Sequence, residues 1–251
     1  METLKFVSWN IRHGGSKKKL EGICNQLEVW NPDVVGLSEF RESATSQSIA
    51  KHLHELGLKH QLTTVDAADR GLNFLLLASR YPLKVQPASG ILASSGRWLH
   101  AKLNSMDVAL VHVPNRSTAK WQFHAEVIAR FNQLQDVPAI CFGDTNTGQP
   151  ELDEENPFFN RREADWFQKI DEAGWVDVWR QRNPQGRAFS WYSNHGNGFR
   201  LDQLFVSHTF ADSISKVKYD WSSGGRDAKL SDHAAITFEI LQNREGNDTV
   251  S

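Results

Sequence analysis

The chain has 251 residues, of which 39% are hydrophobic and 23% charged, as expected of an ordinary globular protein with a sizeable core. Its formal net charge of −2 gives no support for nucleic-acid binding through overall charge, so an anionic substrate would need locally placed cations or metal ions. The longest apolar run, residues 74–78, is too short to cross a bilayer, and residues 1–8 lack the apolar region of a signal peptide. Cys24 and Cys141 lie in apolar segments and have no CxxC spacing, which predicts reduced thiols. Together these features predict a cytoplasmic protein without a membrane partner.

In chain order, apolar runs alternate with helical patterns. Ser16 is the predicted N-cap of a first helix that ends before Pro32. Strands are predicted over 4–11, 33–39, 73–80, 107–114, 138–146, 200–207 and 234–240, and further helices around 49–56, 121–134 and 166–173. Near-continuous apolar strands with interleaved helices predict an α/β protein, a helix–sheet–sheet–helix sandwich with mixed or antiparallel pairing. We expect one catalytic domain over residues 1–242, followed by a short polar tail at 243–251.

Polar residues recur where these predicted strands begin or end. Functional groups of open α/β sheets collect beyond strand ends, so the recurrence predicts one shared site. The residues concerned are Asn10, Glu39, His112, Asp144, Asn146, Asp202, Asp232 and His233.

The residue types in this set suit metal-assisted phosphodiester hydrolysis. Glu39 with Asn10 or Asp232 offers the hard oxygen ligands that Mg²⁺ or Mn²⁺ prefers. Asp144 is a candidate base for the attacking water, with Asn146 holding the base or the water. His233 can stabilise charge at phosphorus if an acid keeps it cationic, and Asp202 is the candidate for that acid.

Each of these residues also has a plain structural explanation. Asn10 can shape a turn, and Glu39 can be an exposed carboxylate. The segment "GDTNTG" can be an Asx-turn loop, and Asp202 a core acid paired with a neighbouring arginine. All of the explanations would have to hold at once, which favours the shared site.

Five motifs in order, "SWNI", "LSE", "GDTN", "RLDQLFVS" and "SDH", resemble the endonuclease/exonuclease/phosphatase superfamily over nearly the whole chain. The resemblance implies an αββα sandwich and hydrolysis of phosphoesters with a divalent metal. It places the family's metal-site residues on Glu39 and Asn10 and its catalytic pair on Asp144 and Asn146. The acid that orients the histidine falls on Asp202, and the terminal Asp-His on Asp232 and His233.

The C-terminal third is similar to exonuclease III-type abasic-site endonucleases. The resemblance implies that Trp191 lines the pocket for the abasic sugar. A local group of arginines could meet phosphates: Arg180, Arg182, Arg187 and Arg200. One departure is His112, where these enzymes carry tyrosine; in the wider superfamily a histidine there can act as general acid to the leaving group. The segment 70–121 also matches poorly.

These observations predict a Mg²⁺- or Mn²⁺-dependent nuclease, monomeric, that cleaves DNA at abasic sites or trims 3′ ends. Two alternatives stay open. The same site could hydrolyse another phosphoester, such as a phosphomonoester or a phospholipid, although residues 180–200 lack an apolar lip. A non-catalytic nucleic-acid-binding relative would lack an essential group, and none is missing.

Overall fold

The computed structural model describes residues 2–66, 71–115, 117–221 and 230–242. The predicted polar tail at 243–251 lies outside the described residues, so the division of the chain at 242 stays a prediction.

The first of two large sheets has six strands in the spatial order β13-β14-β1-β2-β4-β3. Its strands are β1 (Glu2–Asn10), β2 (Val34–Phe40), β3 (His60–Thr63), β4 (Phe74–Ser79), β13 (Ile214–Asp220) and β14 (Ala235–Gln242). The sheet is mixed, because β1 runs parallel to β2 and antiparallel to β14.

The second large sheet also has six strands, in the order β5-β6-β7-β8-β12-β9. Its strands are β5 (Leu83–Val85), β6 (Trp98–Leu103), β7 (Met106–His112), β8 (Ala139–Asp144), β9 (Trp175–Asp177) and β12 (Asp202–Ser207). Only β7 and β8 are parallel among its pairs. A separate two-stranded ribbon consists of β10 (Trp191–Tyr192) and β11 (Gly198–Phe199).

The two sheets pack face to face around aromatic side chains. Phe6 stacks on Phe238 with ring centroids 4.8 Å apart and meets Phe142 of the other sheet edge-on at 6.1 Å. Gly36 allows this approach, because a Cβ there would lie 2.4 Å from the Phe142 ring. Val7 points to the opposite face of β1 and packs in the cluster beneath the helices, as the two-residue period of a strand requires.

Helices cover both outer faces. Helices α1 (Leu20–Trp30) and α2 (Ala44–Glu55) cover the first sheet, and α4 (Ser117–Leu134) and α5 (Arg161–Glu172) cover the second. Two short helices, α3 (Gly90–Ser94) and α6 (Val178–Arg182), lie in connections. The predicted αββα sandwich is therefore confirmed. No helix in the described ranges has the length and apolar character needed to cross a membrane.

Some local predictions were wrong. Ser16 does not cap α1, because its carbonyl closes a turn with Lys19 and the helix begins only at Leu20. Several strands had no clear sequence signal. One is β13, an edge strand whose half-polar sequence shows little apolar periodicity.

Candidate active site

Strand register brings the polar strand ends together. In the second sheet, His112 of β7 pairs with Asp144 of β8, and Asp144 pairs in turn with Asp202 of β12. In the first sheet, Asn10 of β1 lies opposite Ser38 of β2, one residue before Glu39. Polar residues at the ends of five strands, β1, β2, β7, β8 and β12, and in the segment just before a sixth, β14, thus lie at one edge of the sandwich.

Glu39 is placed by an irregularity of its strand. Its φ of 56° lies in the left-handed region, at the register shift between Ser38 and Phe40. A bulge of this kind turns a side chain away from its regular direction, and the strain indicates a functional position. Glu39 Oε2 accepts the backbone N–H of His13 at 2.7 Å, and the His13 Nδ1 lies 2.9 Å from the same oxygen. The carboxylate is thereby fixed beside the start of the loop after β1.

Asp144 is buried among donors. Its Oδ2 accepts the Asn10 side-chain amide at 2.9 Å, and its Oδ1 accepts the Asn146 backbone N–H at 2.9 Å. The Asn10 amide also reaches Glu39 Oε1 at 3.3 Å. Burial, with the charge of Asp202, raises the pKa of Asp144 to about 7 despite these hydrogen bonds and the nearby His233. A carboxylate with this pKa is matched to proton transfer near neutral pH.

Asn146 holds the loop that follows β8. Its φ of 48° is left-handed, which asparagine tolerates, and its side-chain amide donates to the carbonyl of Val113 at 2.8 Å. Its own carbonyl accepts from the buried Lys120 Nζ at 3.2 Å, and Lys120 also donates to Glu163 at 3.0 Å. Asn146 therefore orients Asp144 through its backbone N–H.

His233 is held by a buried carboxylate. Its Nδ1 lies 2.8 Å from Asp202 Oδ2, and its Nε2 lies 3.9 Å from Asp144 Oδ2. Burial would lower the pKa of His233, but Asp202 and Asp144 outweigh it and raise the pKa to about 10. The ring is therefore a cation at neutral pH, with Nε2–H directed to the same side as Asp144. Trp9 fixes the backbone by donating its indole N–H to the His233 carbonyl at 3.1 Å.

The donor set fits a divalent cation. Asp202 Oδ1 is buried and has no hydrogen-bond partner among the described residues, and burial raises the pKa of Asp144, so a cation nearby would stabilise its charged form. Glu39 and Asn10 add hard oxygen atoms beside it. Asp144, Asp202 and His233 have ligand atoms within 4.8 Å of one another. This trio is better explained by its hydrogen bonds, because a cationic imidazole cannot bind a metal.

Asp232 directly precedes His233, and its side chain is partly exposed. One of its oxygens is 3.5 Å from Arg12 Nε. Arg12 and His13 both have positive φ, so the loop after β1 folds back over the site.

Arg97, which was missed in the sequence, lies beside His112. Its Nη1 is 3.0 Å from the His112 Nδ1 and 3.3 Å from Nε2. Burial first, and then the Arg97 charge, hold the pKa of His112 well below its ordinary value. A neutral ring is a poor proton donor, so these surroundings conflict with the expectation that His112 is a general acid. His112 Nε2 lies 3.7 Å from Asp144 Oδ2, within the same site.

Trp191 borders the site from the two-stranded ribbon. It forms an isolated β-bridge with His233, and the two rings lie 6.3 Å apart. Its ring is half-buried against a small apolar cluster that includes Phe199 and Leu201. A flat aromatic surface thus adjoins this edge of the sandwich.

The expectation that Arg200 binds substrate phosphate was wrong. Its side chain is fully buried, with Nε 2.7 Å from Asp153 Oδ1 and Nη2 2.5 Å from Asp177 Oδ2. Arg180 is also buried and binds Asp153. These four side chains form the arginine cluster, a set of internal ion pairs behind the loop that carries Asn146. Arg187, by contrast, is exposed and accessible.

The residues missed in the sequence had weak signals. Arg97 lies in the 70–121 segment, which matches the resembled family poorly, and no motif surrounds it. Lys120 looked like one more helix-surface cation. His13 follows "SWNI" by two residues, and that proximity was the one usable signal.

Comparisons with known proteins agree with this geometry. The profile of the Endonuclease/Exonuclease/phosphatase family matches residues 7–233. A DNA-(apurinic or apyrimidinic site) endonuclease of Dictyostelium discoideum is 26% identical over 84% of this chain, which spans 64% of that protein's length. An exodeoxyribonuclease of Bacillus subtilis is 23% identical, over 94% of this chain and 99% of its own. The solved structure of an AP endonuclease from Archaeoglobus fulgidus shares the fold, with a TM-score of 0.80, 21% identity and coverage of 95% of this chain and 100% of that one.

Proposed function

The chain belongs to the endonuclease/exonuclease/phosphatase family, and we propose that it is a divalent-metal-dependent nuclease that hydrolyses phosphodiester bonds of DNA. The observation that carries the proposal is the pairing of Asp144 with His233. One is a buried carboxylate with a pKa raised to about 7, and the other is an imidazolium kept cationic by Asp202. A base near neutral pH beside a fixed cation is what water attack on a phosphodiester needs.

The residues divide the chemistry among them. Asp144 accepts a proton from the attacking water, and the backbone N–H of Asn146 keeps its oxygen in position. His233 donates a hydrogen bond from Nε2 to the phosphate oxygens as negative charge develops. Asp202 holds the ring through Nδ1.

Arg97 and His112 lie beside Asp144 in the same site. The Arg97 guanidinium adds positive charge for the phosphate; burial lowers its pKa, while the charges of Asp144 and Glu39 oppose that shift. His112, neutral beside Arg97, acts as a hydrogen-bond partner of the leaving 3′ oxygen rather than as a proton donor. Mg²⁺ or Mn²⁺ bound by Glu39, Asn10 and Asp232 would supply charge neutralisation at the phosphate.

DNA is the substrate best supported. Both curated relatives are named as DNA-cleaving enzymes. Trp191 offers a ring beside His233, and the exposed Arg187 offers a cation near it in the chain. We propose that a monomer binds duplex DNA at an abasic site or at a 3′ end. We place it in the cytoplasm, where its two free cysteines would stay reduced.

The test compares substrates, metals and one variant. Purified protein is given abasic-site duplex, duplex with recessed 3′ ends, single strands, RNA, a phosphomonoester and a phospholipid, each with Mg²⁺, Mn²⁺ or EDTA. We expect DNA cleavage with either metal, none in EDTA, and a rate about 10²–10⁴-fold lower for Asp144→Ala. Cleavage in EDTA, or an unchanged rate for Asp144→Ala, would contradict the mechanism. Hydrolysis of a phosphomonoester or phospholipid without DNA cleavage would contradict the choice of substrate.

A further inference from the structure

Phe158 presents the most exposed phenylalanine, tyrosine or tryptophan ring among the described residues, with 72% of its surface accessible. A single exposed apolar residue is common and means little alone. The surroundings of Phe158 make it different, because it is both held in place and connected to the active site.

The backbone around Phe158 is fixed by a buried carboxylate. Glu154 Oε2 accepts the N–H groups of Phe158 at 2.7 Å and Phe159 at 2.6 Å. Glu154 Oε1 accepts the N–H of Glu151 at 2.9 Å. Pro157, just before Phe158, restricts the chain further. The ring is therefore presented at a defined place without the entropy of a mobile loop.

The same segment is attached to the ribbon that carries Trp191. The Asn156 N–H donates to Asn197 Oδ1 at 2.8 Å, and the Asn197 amide donates back to the Asn156 carbonyl at 3.2 Å. The Glu155 N–H donates to the carbonyl of Gly198 at 2.9 Å. Phe158 and Trp191 are thus parts of one connected surface.

A row of aromatic rings leads from the catalytic histidine to Phe158. The Trp191 ring lies 6.3 Å from that of His233, and Phe199 lies 5.9 Å from Trp191. Phe158 meets Phe199 edge-on at 5.3 Å. Because a duplex strand advances about 3.4 Å per nucleotide, these three ring-to-ring steps place Phe158 at most a few nucleotides from His233.

From this geometry, and on the basis of the proposed action on DNA, we infer that Phe158 is a stacking platform for one nucleobase of the substrate. The base lies a few nucleotides from the phosphate that His233 contacts. Aromatic stacking accepts any base, and a pre-ordered ring binds without an ordering cost. A base offers a free face only when it is unpaired or at a strand end. Phe158 therefore favours DNA with an unpaired base near the cleavage position over intact duplex.

The test uses 2-aminopurine, whose fluorescence falls when it stacks. The probe is placed in turn at each of several nucleotides on both sides of the cleavage position of an abasic-site duplex and of a recessed 3′ end. Binding is measured in an Asp144→Asn background, so that the DNA stays intact, for otherwise unchanged protein, Phe158→Ala, Phe158→Trp and Val29→Ala. Val29 is a matched control, because it is an exposed apolar residue on α1.

We expect quenching at one probe position that is lost in Phe158→Ala and kept in Phe158→Trp and Val29→Ala. Loss of stacking should raise the Kd of Phe158→Ala for DNA about 5- to 100-fold. With Asp144 restored, KM should rise while kcat is unchanged, and thermal unfolding should match the parent protein.

Quenching and Kd that are the same in Phe158→Ala as in its parent would overturn the inference and leave the proposed function intact. Failure of the unaltered protein to cleave any DNA with Mg²⁺ or Mn²⁺ would instead reject the proposed function itself. An equal loss in Val29→Ala would also count against Phe158, since the effect would then be general.

Discussion

Two buried groups of charged side chains behave in opposite ways. In the arginine cluster, Asp153 and Asp177 face Arg180 and Arg200, so that two negative charges meet two positive ones. Burial would raise the pKa of Asp153, but Arg200 and Arg180 outweigh it and lower the pKa. At the candidate active site the pKa of Asp144 is raised instead, because burial and Asp202 outweigh His233.

The hydrogen bonds show the same contrast. Every carboxylate of the arginine cluster is bound by a guanidinium, whereas Asp202 keeps a buried oxygen without a partner among the described residues. Glu39 at the candidate active site also has left-handed backbone, a strained conformation for glutamate that the surrounding structure must sustain. The arginine cluster pairs its buried charges internally, so losing one partner would leave a buried charge uncompensated, and we propose that the unpartnered Asp202 oxygen is kept for the chemistry of the site.

Substituting Asp144, in the candidate active site, should have the largest effect on activity. Asp144→Asn keeps the shape but removes the base, so we expect kcat/KM on DNA to fall about 10²–10⁴-fold. The thermal unfolding midpoint should stay the same or rise, because an ionisable buried group is removed. A large fall in the midpoint would mean that Asp144 is structural.

Substituting Arg200, in the arginine cluster, should lower the stability of the fold. Arg200→Met leaves Asp153 and Asp177 partly uncompensated in the interior, so we expect the free energy of unfolding to fall by about 3–5 kcal/mol. Denaturant unfolding measures this, with Val29→Ala as the control. Activity below the transition should follow the folded fraction. Unchanged stability of Arg200→Met together with a raised KM would indicate instead that Arg200 binds substrate.

Substituting Arg97 tests whether a single cation belongs to the chemistry. Arg97→Met should lower kcat/KM roughly 10- to 100-fold, the value of one charged hydrogen bond. Arg97→Lys should recover part of the loss. The pKa of His112, followed by its NMR signals, should rise in Arg97→Met as the neighbouring positive charge is lost. An unchanged kcat/KM in Arg97→Met would place the guanidinium outside the reaction.

The smallest expected effect is on the pH profile. His233 must be protonated to act, and its pKa is raised to about 10, so activity should be lost only as pH rises through that value. Asp202→Asn removes the main cause, and the alkaline limb should move down by about one unit or more. The acid limb belongs to Asp144, which must lose its proton, and should lie at or below about pH 7 with metal bound. An alkaline limb that does not move would show that Asp202 does not control His233.

Much of this site could be predicted because it lies at strand ends. Asn10, Glu39, Asp144 and His233 each adjoin an apolar run whose period marks a strand, and strand ends meet at sheet edges. The motif order added the family. Residues of the site outside such runs, such as Arg97, had no comparable signal.

The error at Arg200 and the conflict at His112 have a common cause. Arg200 was grouped with Arg187 because they are close in the chain, yet one faces Asp153, 47 residues earlier in sequence, and the other faces solvent. His112 was expected to be a general acid by analogy, and burial together with Arg97, which directly precedes β6, opposes its protonation.

The sequence by itself determined the main strands and helices of the sandwich, and the oxygen- and nitrogen-bearing side chains at the ends of those strands, because periodicity and residue chemistry are local properties. Only the tertiary structure decided which charges are balanced, which way Glu39 turns, and which protonation states Asp144, His112 and His233 hold. Burial and charge pairing act through space between distant segments, so they exist only once the chain has folded.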